Sequence, residues 1–133
     1  MLDEARVPIQ SLADIVAARQ RGRELAARAG FSSFNRTLIA SAISEVARNI
    51  VDFAEHGEVT ISLLENGTRK GVKIVASDRG PGIADISTAM RDGYSSTNGL
   101  GIGLPGAKRV MDEFEITSKP GQGTTVTMKK WTA

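Results

Sequence analysis

Glu45 and Asn49 stand one helical turn apart in a stretch whose apolar residues recur at helical spacing, so their side chains share one stripe. With Glu45 placed at 0°, the apolar side chains between Val46 and Ala54 fall at roughly 80° to 240°, and the pair lies beside that seam. A carboxylate there can take up a proton, and an amide oxygen one turn on is a neutral hard ligand suited to a Mg²⁺ ion that holds phosphate oxygens. The same two residues, with Ser41, Ser44, Arg48 and Asp52 around them, also read as the solvated side of an ordinary amphipathic helix.

Asp78 is more pointed. In the run Gly71 to Asp78 the residues Val72, Ile74, Ala76 and Asp78 have one parity, so the carboxylate continues an inward-facing row. A carboxylate aimed at a core costs several kcal/mol, about the penalty of burying an unpaired ion, unless it accepts hydrogen bonds. No neighbour in the sequence is an obvious donor. The turn that follows, with Gly80 and Gly82, lets a flat ligand approach the main chain closely, and an exocyclic amine such as that of adenine suits an Asp acceptor there. The competing reading is an Asp that caps its own turn.

Gly99, Leu100, Gly101, Ile102, Gly103 and Leu104 precede Pro105 at the opening of a helix, where free amides and the helix dipole suit an anion such as phosphate. Gly101, Gly103 and Gly106 match GxGxxG literally, yet the match follows a polar loop instead of a strand, so the dinucleotide fingerprint fails. The Lys of GxxxxGK[ST] is absent, and a hinge without ligand is the competing reading. Gly121 to Thr124 is a hairpin turn whose Thr124 could also hydrogen-bond a ligand near Asp78, and the lone His56 ends a helix where the dipole favours it.

The elements that must position these residues follow from periodicity. A helix is predicted from Ser11 to Ala29, closed by Gly30, and a second from about Asn35 to Glu55. Strands are predicted at Glu58–Glu65 and Gly71–Asp78, joined by the turn Asn66–Lys70. A short helix at Asp85–Arg91, a polar loop at Asp92–Gly103, a helix at Pro105–Asp112 and strands at Phe114–Lys119 and Thr124–Trp131 complete the pattern, with a short strand at Arg6–Gln10 ahead of it. The loop's composition suits a segment that moves or holds a ligand. The expected architecture is an α/β, more strictly α+β, two-layer sandwich, with a mixed, largely antiparallel sheet covered on one face by helices.

Composition sets the bounds. The 133 residues suit a single domain spanning 1–133, and 17 Lys and Arg against 15 Asp and Glu give a formal charge of only +2. No basic run argues for nucleic acid or an anionic membrane, and no stretch approaches the roughly 18 apolar residues of a membrane helix, so a cytoplasmic location is expected. With no cysteine and one histidine, thiolate chemistry and Cys- or His-built metal sites are excluded or improbable. Carboxylates, amides and backbone remain.

Taken in order, Glu45-x-x-x-Asn49, Asp78-x-Gly80-x-Gly82, Gly99-x-Gly101-x-Gly103 and Gly121-x-Gly123-Thr124 resemble the four boxes of the Bergerat, or GHKL, ATP-binding superfamily, over Ser44 to Thr124. Within it, Asp14–Gln20, Ser44–Asn49 and Gly103–Phe114 are similar to the RsbT-like switch serine/threonine kinases of the bacterial stressosome. The resemblance implies Mg·ATP bound under a lid. Asp78 would bind the adenine amino group, with Gly80 and Gly82 in its turn. Asn49 would bind magnesium, and the backbone of Gly99, Leu100, Gly101, Ile102, Gly103 and Leu104 the phosphates. Thr124 would lie near the adenine, and Glu45 would be the general base. The implied partners are STAS-domain scaffold and antagonist proteins, the stressosome S and R components, and a released-state effector such as a PP2C-type phosphatase. The alternative is a non-catalytic, nucleotide-gated partner-switching module or anti-sigma-factor-type regulator.

Overall fold

The computed structural model describes residues 4–54, 56–80 and 103–132. The predicted helix at Asp85–Arg91, most of the loop Asp92–Gly103, and the candidate residues Gly82, Gly99, Leu100, Gly101 and Ile102 lie outside the described residues.

Strand β1 (Glu4–Ile9) leads into helix α1 (Leu12–Ala29). The start of α1 is fixed by the Asp14 carboxylate, which accepts the amides of Gln10 at 2.8 Å and Ser11 at 3.2 Å. Its end is closed at Gly30, where the Gly30 and Phe31 amides turn back to Ala27 and Ala26. Helix α2 (Ser33–Phe53) begins two residues earlier than the apolar pattern predicts, because the Ser32 hydroxyl accepts the Asn35 amide at 3.2 Å. The two helices pack closely where Gly22 faces Ile43. A Cβ on Gly22 would collide with the Ile43 Cδ1 atom.

Strands β2 (Gly57–Asn66) and β3 (Arg69–Asp78) form a hairpin longer than expected, with its turn shortened to Gly67 and Thr68. Helix α3 (Gly103–Val110) and strands β4 (Glu113–Ser118) and β5 (Thr124–Trp131) follow. The sheet order is β1-β2-β3-β5-β4, and every pairing is antiparallel. The sheet, expected to be mixed and largely antiparallel, is antiparallel throughout among the described strands. Tight connections join β2 to β3 and β4 to β5, and β5 inserts between β3 and β4.

The register lines up one apolar face. Ala5, Ile61, Ile74, Met128 and Phe114 form one rung, and Val7, Val59, Ala76, Val126 and Ile116 the next. Helices α1 and α2 lie on this face and bury Ile15, Leu25, Ile39, Ile43, Val46 and Ile50 against it. Each fully buried Ile or Val contributes roughly 1.5–3 kcal/mol relative to an exposed one. Helix α3 packs on α2, with Leu104 and Ala107 of α3 and Met111 just after it buried. Its C-terminal end is tied to the sheet by Lys130 Nζ, which donates to the Val110 carbonyl at 2.7 Å, and by the Asp112 amide bonded to the Lys129 carbonyl at 2.9 Å. Those ties fix where the N-terminus of α3 points.

Candidate functional site

The stripe of α2 that carries Glu45 and Asn49 is not a solvated face, although Asp52 further round is exposed. Glu45 is 7% exposed and Asn49 8%, because α3 lies across the stripe they share. Buried Ser44 is satisfied internally, its hydroxyl donating to the Ala40 carbonyl at 3.0 Å, whereas Glu45 reaches out of the helix. Its Oε1 accepts the Gly103 amide at 3.0 Å. Gly103 has φ of 66°, a conformation that favours glycine, so this amide is turned toward α2 at the point where α3 begins. The candidate base and the first described amide of the candidate phosphate cradle therefore meet directly. Asn49 makes no side-chain hydrogen bond among the described residues despite its burial.

Asp78 stands at the end of β3, opposite Gly57, and it has the donors that the sequence did not reveal. Its Oδ1 accepts the Gly80 amide at 2.9 Å and the Thr124 amide at 3.2 Å. The turn-capping reading and the ligand reading are thus compatible: one oxygen holds the main chain of two segments, and Oδ2 has no donor among the described residues. Gly80 lies flat against α2, where a Cβ would come 2.5 Å from the Cβ of Ala54. Gly123, with φ of 85°, packs directly on the Asp78 carbonyl, and a Cβ there would collide with that oxygen and lie 2.9 Å from the Arg79 Cα. The cradle around Asp78 exists because these two positions have no side chain.

Thr124 is 4% exposed, next to Asp78 through its amide. Two residues that the sequence reading passed over complete this end of the sheet. Gly57 packs tightly opposite Asp78, where a Cβ would come 2.5 Å from the Ser77 carbonyl oxygen and 3.0 Å from the Asp78 Cβ, and Ser118 bonds the Thr124 hydroxyl at 2.8 Å. Ser118 carried a signal: it shares the parity of Phe114 and Ile116, the argument that singled out Asp78. Glu45, Asn49, Gly103 and Leu104 form one group at the α2–α3 contact, and Asp78, Gly80 and Thr124 a second at the sheet end. The contact of Gly80 with Ala54 at the end of α2 places the second group beside the helix that carries the first. Among the described residues no cluster of three His, Cys, Asp or Glu side chains is present, and no helix is long and apolar enough to cross a membrane.

An antiparallel sheet with helices on one face, an acid and an amide on the second helix and an acidic turn at a strand end make this an α+β fold of the kind that binds nucleotides, as the family match bears out. The profile of the histidine kinase-like ATPase domain matches residues 10–130, and the chain belongs to that family. It is 48% identical over 131 residues to the serine/threonine-protein kinase RsbT of Bacillus subtilis, covering 98% of each chain. The anti-sigma F factor of a Thermoanaerobacter species is 33% identical over 99 residues, covering 70% of this chain and 68% of that one. Among solved structures, the RsbU and RsbW domains of a Mycobacterium tuberculosis protein superpose with a TM-score of 0.59 at 21% identity, covering 95% of this chain and 32% of that one. The mycobacterial sensor histidine kinase MprB gives 0.55 at 14% identity over 98% of this chain and 97% of that one. These two likenesses concern the fold. ATP binding follows from the family, and so does a place among kinases and regulators that work by switching partners.

Proposed function

We propose that the chain is a single-domain, ATP-dependent protein serine/threonine kinase of the cytoplasm that phosphorylates STAS-domain proteins, the S and R components of a stressosome. Released from them, it binds and activates a downstream effector such as a PP2C-type phosphatase. The observation that carries the catalytic part is the buried Glu45 carboxylate held by the Gly103 amide at the start of α3. Kinship with the Bacillus RsbT kinase supports the same reading.

In this mechanism Asp78 Oδ2 accepts from the adenine amino group, with Gly80, Gly82 and Thr124 shaping the base pocket. The amide of Leu104, together with those of Gly99, Leu100, Gly101 and Ile102, receives the phosphates, where the positive end of α3 offsets their charge, while the Gly103 amide, which the sequence reading also gave to the phosphates, stays with Glu45. Asn49 would hold Mg²⁺, which when bound neutralises charge on the β- and γ-phosphate oxygens. Glu45 takes the proton of a substrate Ser or Thr hydroxyl as that oxygen bonds to the γ-phosphorus. The bond from phosphorus to the ADP oxygen breaks, leaving a phosphorylated side chain and ADP, and Glu45 passes its proton to water. Its hydrogen bond to the Gly103 amide aims the carboxylate at the phosphate end of the site.

Incubation with γ-labelled ATP and a panel of STAS-domain proteins tests the proposal. Label should appear on Ser or Thr of at least one STAS protein with the wild-type chain and be lost with Glu45→Gln. Tight ATP binding with no transfer to any of them would overturn the kinase reading in favour of a nucleotide-gated binding module.

A further inference from the structure

Four inward positions line up across the open end of the sheet. Gly57 faces Asp78, Ser118 faces Thr124, and the Thr124 amide donates to Asp78 Oδ1 at 3.2 Å. This rung lies one inward step beyond the apolar rung of Val59, Ala76, Val126 and Ile116. Apolar side chains thus give way to one glycine and three polar residues at the same level on four strands. Ser118 is the outermost, on edge strand β4, and belongs to none of the nucleotide-binding boxes.

The hydroxyl protons fix the polarity of the rung. Ser118 Oγ lies 3.1 Å from the Gly123 carbonyl and 2.8 Å from Thr124 Oγ1. Each hydroxyl has one proton, and a carbonyl oxygen only accepts. The Ser118 proton therefore goes to Gly123, and the short Ser118–Thr124 contact is completed by the Thr124 proton. Thr124 is 4% exposed, so bulk water does not offer its hydroxyl a competing acceptor. With its proton committed to Ser118, Thr124 Oγ1 presents only lone pairs to anything beside Asp78. The free Oδ2 of Asp78 presents only lone pairs as well.

Two acceptors side by side match a purine with a 6-amino group, which carries two N–H donors, and repel a 6-oxo group, which carries none. We propose that Ser118 is a specificity-determining positioning residue: by holding the Thr124 proton it keeps the base pocket acceptor-only, favouring 6-amino over 6-oxo purine nucleotides. The inference rests on the assignment of Asp78 and Thr124 to the base pocket, and it adds a role for a side chain that need not touch the nucleotide.

The test measures calorimetric affinities for Mg·ATP and Mg·ITP, which differ at the purine 6-position and in the N1 proton that follows from it. The wild-type chain should prefer ATP. Ser118→Ala frees the Thr124 hydroxyl to turn its proton toward a 6-oxo group, so the ITP-to-ATP ratio of Kd values should fall at least about fivefold, with ITP binding unchanged or tighter. Ser118→Thr, which retains the hydroxyl, should keep the wild-type ratio. In a Thr124→Val background, Ser118→Ala should leave the ratio unmoved. Should Ser118→Ala not fold, Ser118→Cys keeps the volume with a weak donor and reads the same ratio. Equal weakening of both nucleotides in folded Ser118→Ala, or loss of preference in Ser118→Thr, would overturn the inference while leaving the base pocket in place. A wild-type chain that binds ATP and ITP alike would instead bring down the base-pocket assignment on which the inference stands.

Discussion

Asp78→Asn separates the main-chain bonds that this side chain accepts from the ligand role proposed for it. Oδ1 holds the Gly80 and Thr124 amides at 2.9 and 3.2 Å, and Oδ2 is left for a ligand. An Asn can place its carbonyl oxygen where Oδ1 stood and keep both amide bonds, as neutral instead of charge-assisted contacts. Its NH₂ then falls where Oδ2 was and meets the adenine amine donor to donor. Losing a hydrogen bond to a charged acceptor costs about 1.5–3 kcal/mol, so ATP affinity should fall about 10- to 150-fold at about 1.4 kcal/mol per factor of ten. Asp78→Ala is the contrasting variant, because it leaves both main-chain donors without an acceptor. Asp78 is half-buried, so the low end of the usual penalty applies to each, about 2–3 kcal/mol together, or roughly 6–12 °C in Tm for a chain of this length. Isothermal calorimetry with Mg·ATP and thermal unfolding by circular dichroism read the two effects separately. Asp78→Asn should melt within about 3 °C of wild type while losing ATP, and Asp78→Ala should lose both. An Asn variant that is folded and binds ATP within threefold of wild type would refute the ligand role of Oδ2. An Asn variant as unstable as the Ala variant would refute the division between the two oxygens.

Glu45→Gln should retain Mg·ATP affinity, since its amide oxygen can still accept from Gly103, and slow phosphoryl transfer by on the order of 10²–10⁴, as single-turnover assays on a STAS substrate would show. Gly121→Ala and Gly123→Ala both place alanine at positive φ, but a Cβ meets nothing within 4 Å at Gly121 and strikes the Asp78 carbonyl at Gly123. Chemical denaturation should show a loss of about 1 kcal/mol for the first and at least about 2–3 kcal/mol for the second, with equal losses refuting the close approach. Asn49→Ala should weaken binding of ATP in magnesium by about tenfold or more and leave binding in EDTA nearly unchanged, because only the metal-linked part of the affinity passes through that amide.

What the sequence carries is local, and what it lacks is set by contacts between distant segments. Helices α1 and α2 were legible from periodicity and caps, and the hairpin of β2 and β3 from alternation around an Asn-Gly turn. The placement of β5 between β3 and β4 was not, since both later strands alternate. The difference appears only in burial: β5 hides Val126 and Met128 fully between two neighbours, and β4 leaves Phe114 and Ile116 half-buried at the edge. Asp78 announced itself by parity, yet its donors come from Thr124, on another strand, and Gly80, within its own turn. The burial of Glu45 was the least legible feature, because helical angles alone put it among Ser41, Arg48 and Asp52. It is buried because α3 crosses α2, and α3 is held there by Lys130 on β5, far along the chain from both.

That dependence has a mechanistic consequence. Strand β5 carries Thr124 at one end, bonded to Asp78, and Lys130 at the other, bonded to the last turn of α3. One strand thus spans from Thr124, bonded to Asp78, to the helix whose first amide holds Glu45. Pairing on both sides, with β3 and β4, supports it, so the spacing between Asp78, proposed for the adenine, and Glu45, proposed as the base, is set by the sheet instead of by loops. Sites on loops drift by an ångström or more, and a base that must sit within hydrogen-bond reach of a substrate hydroxyl tolerates little of that. Glu45, Asp78 and Thr124, which sequence reading finds in separate boxes, are in this fold tied to a common frame by a strand that contributes a single one of them.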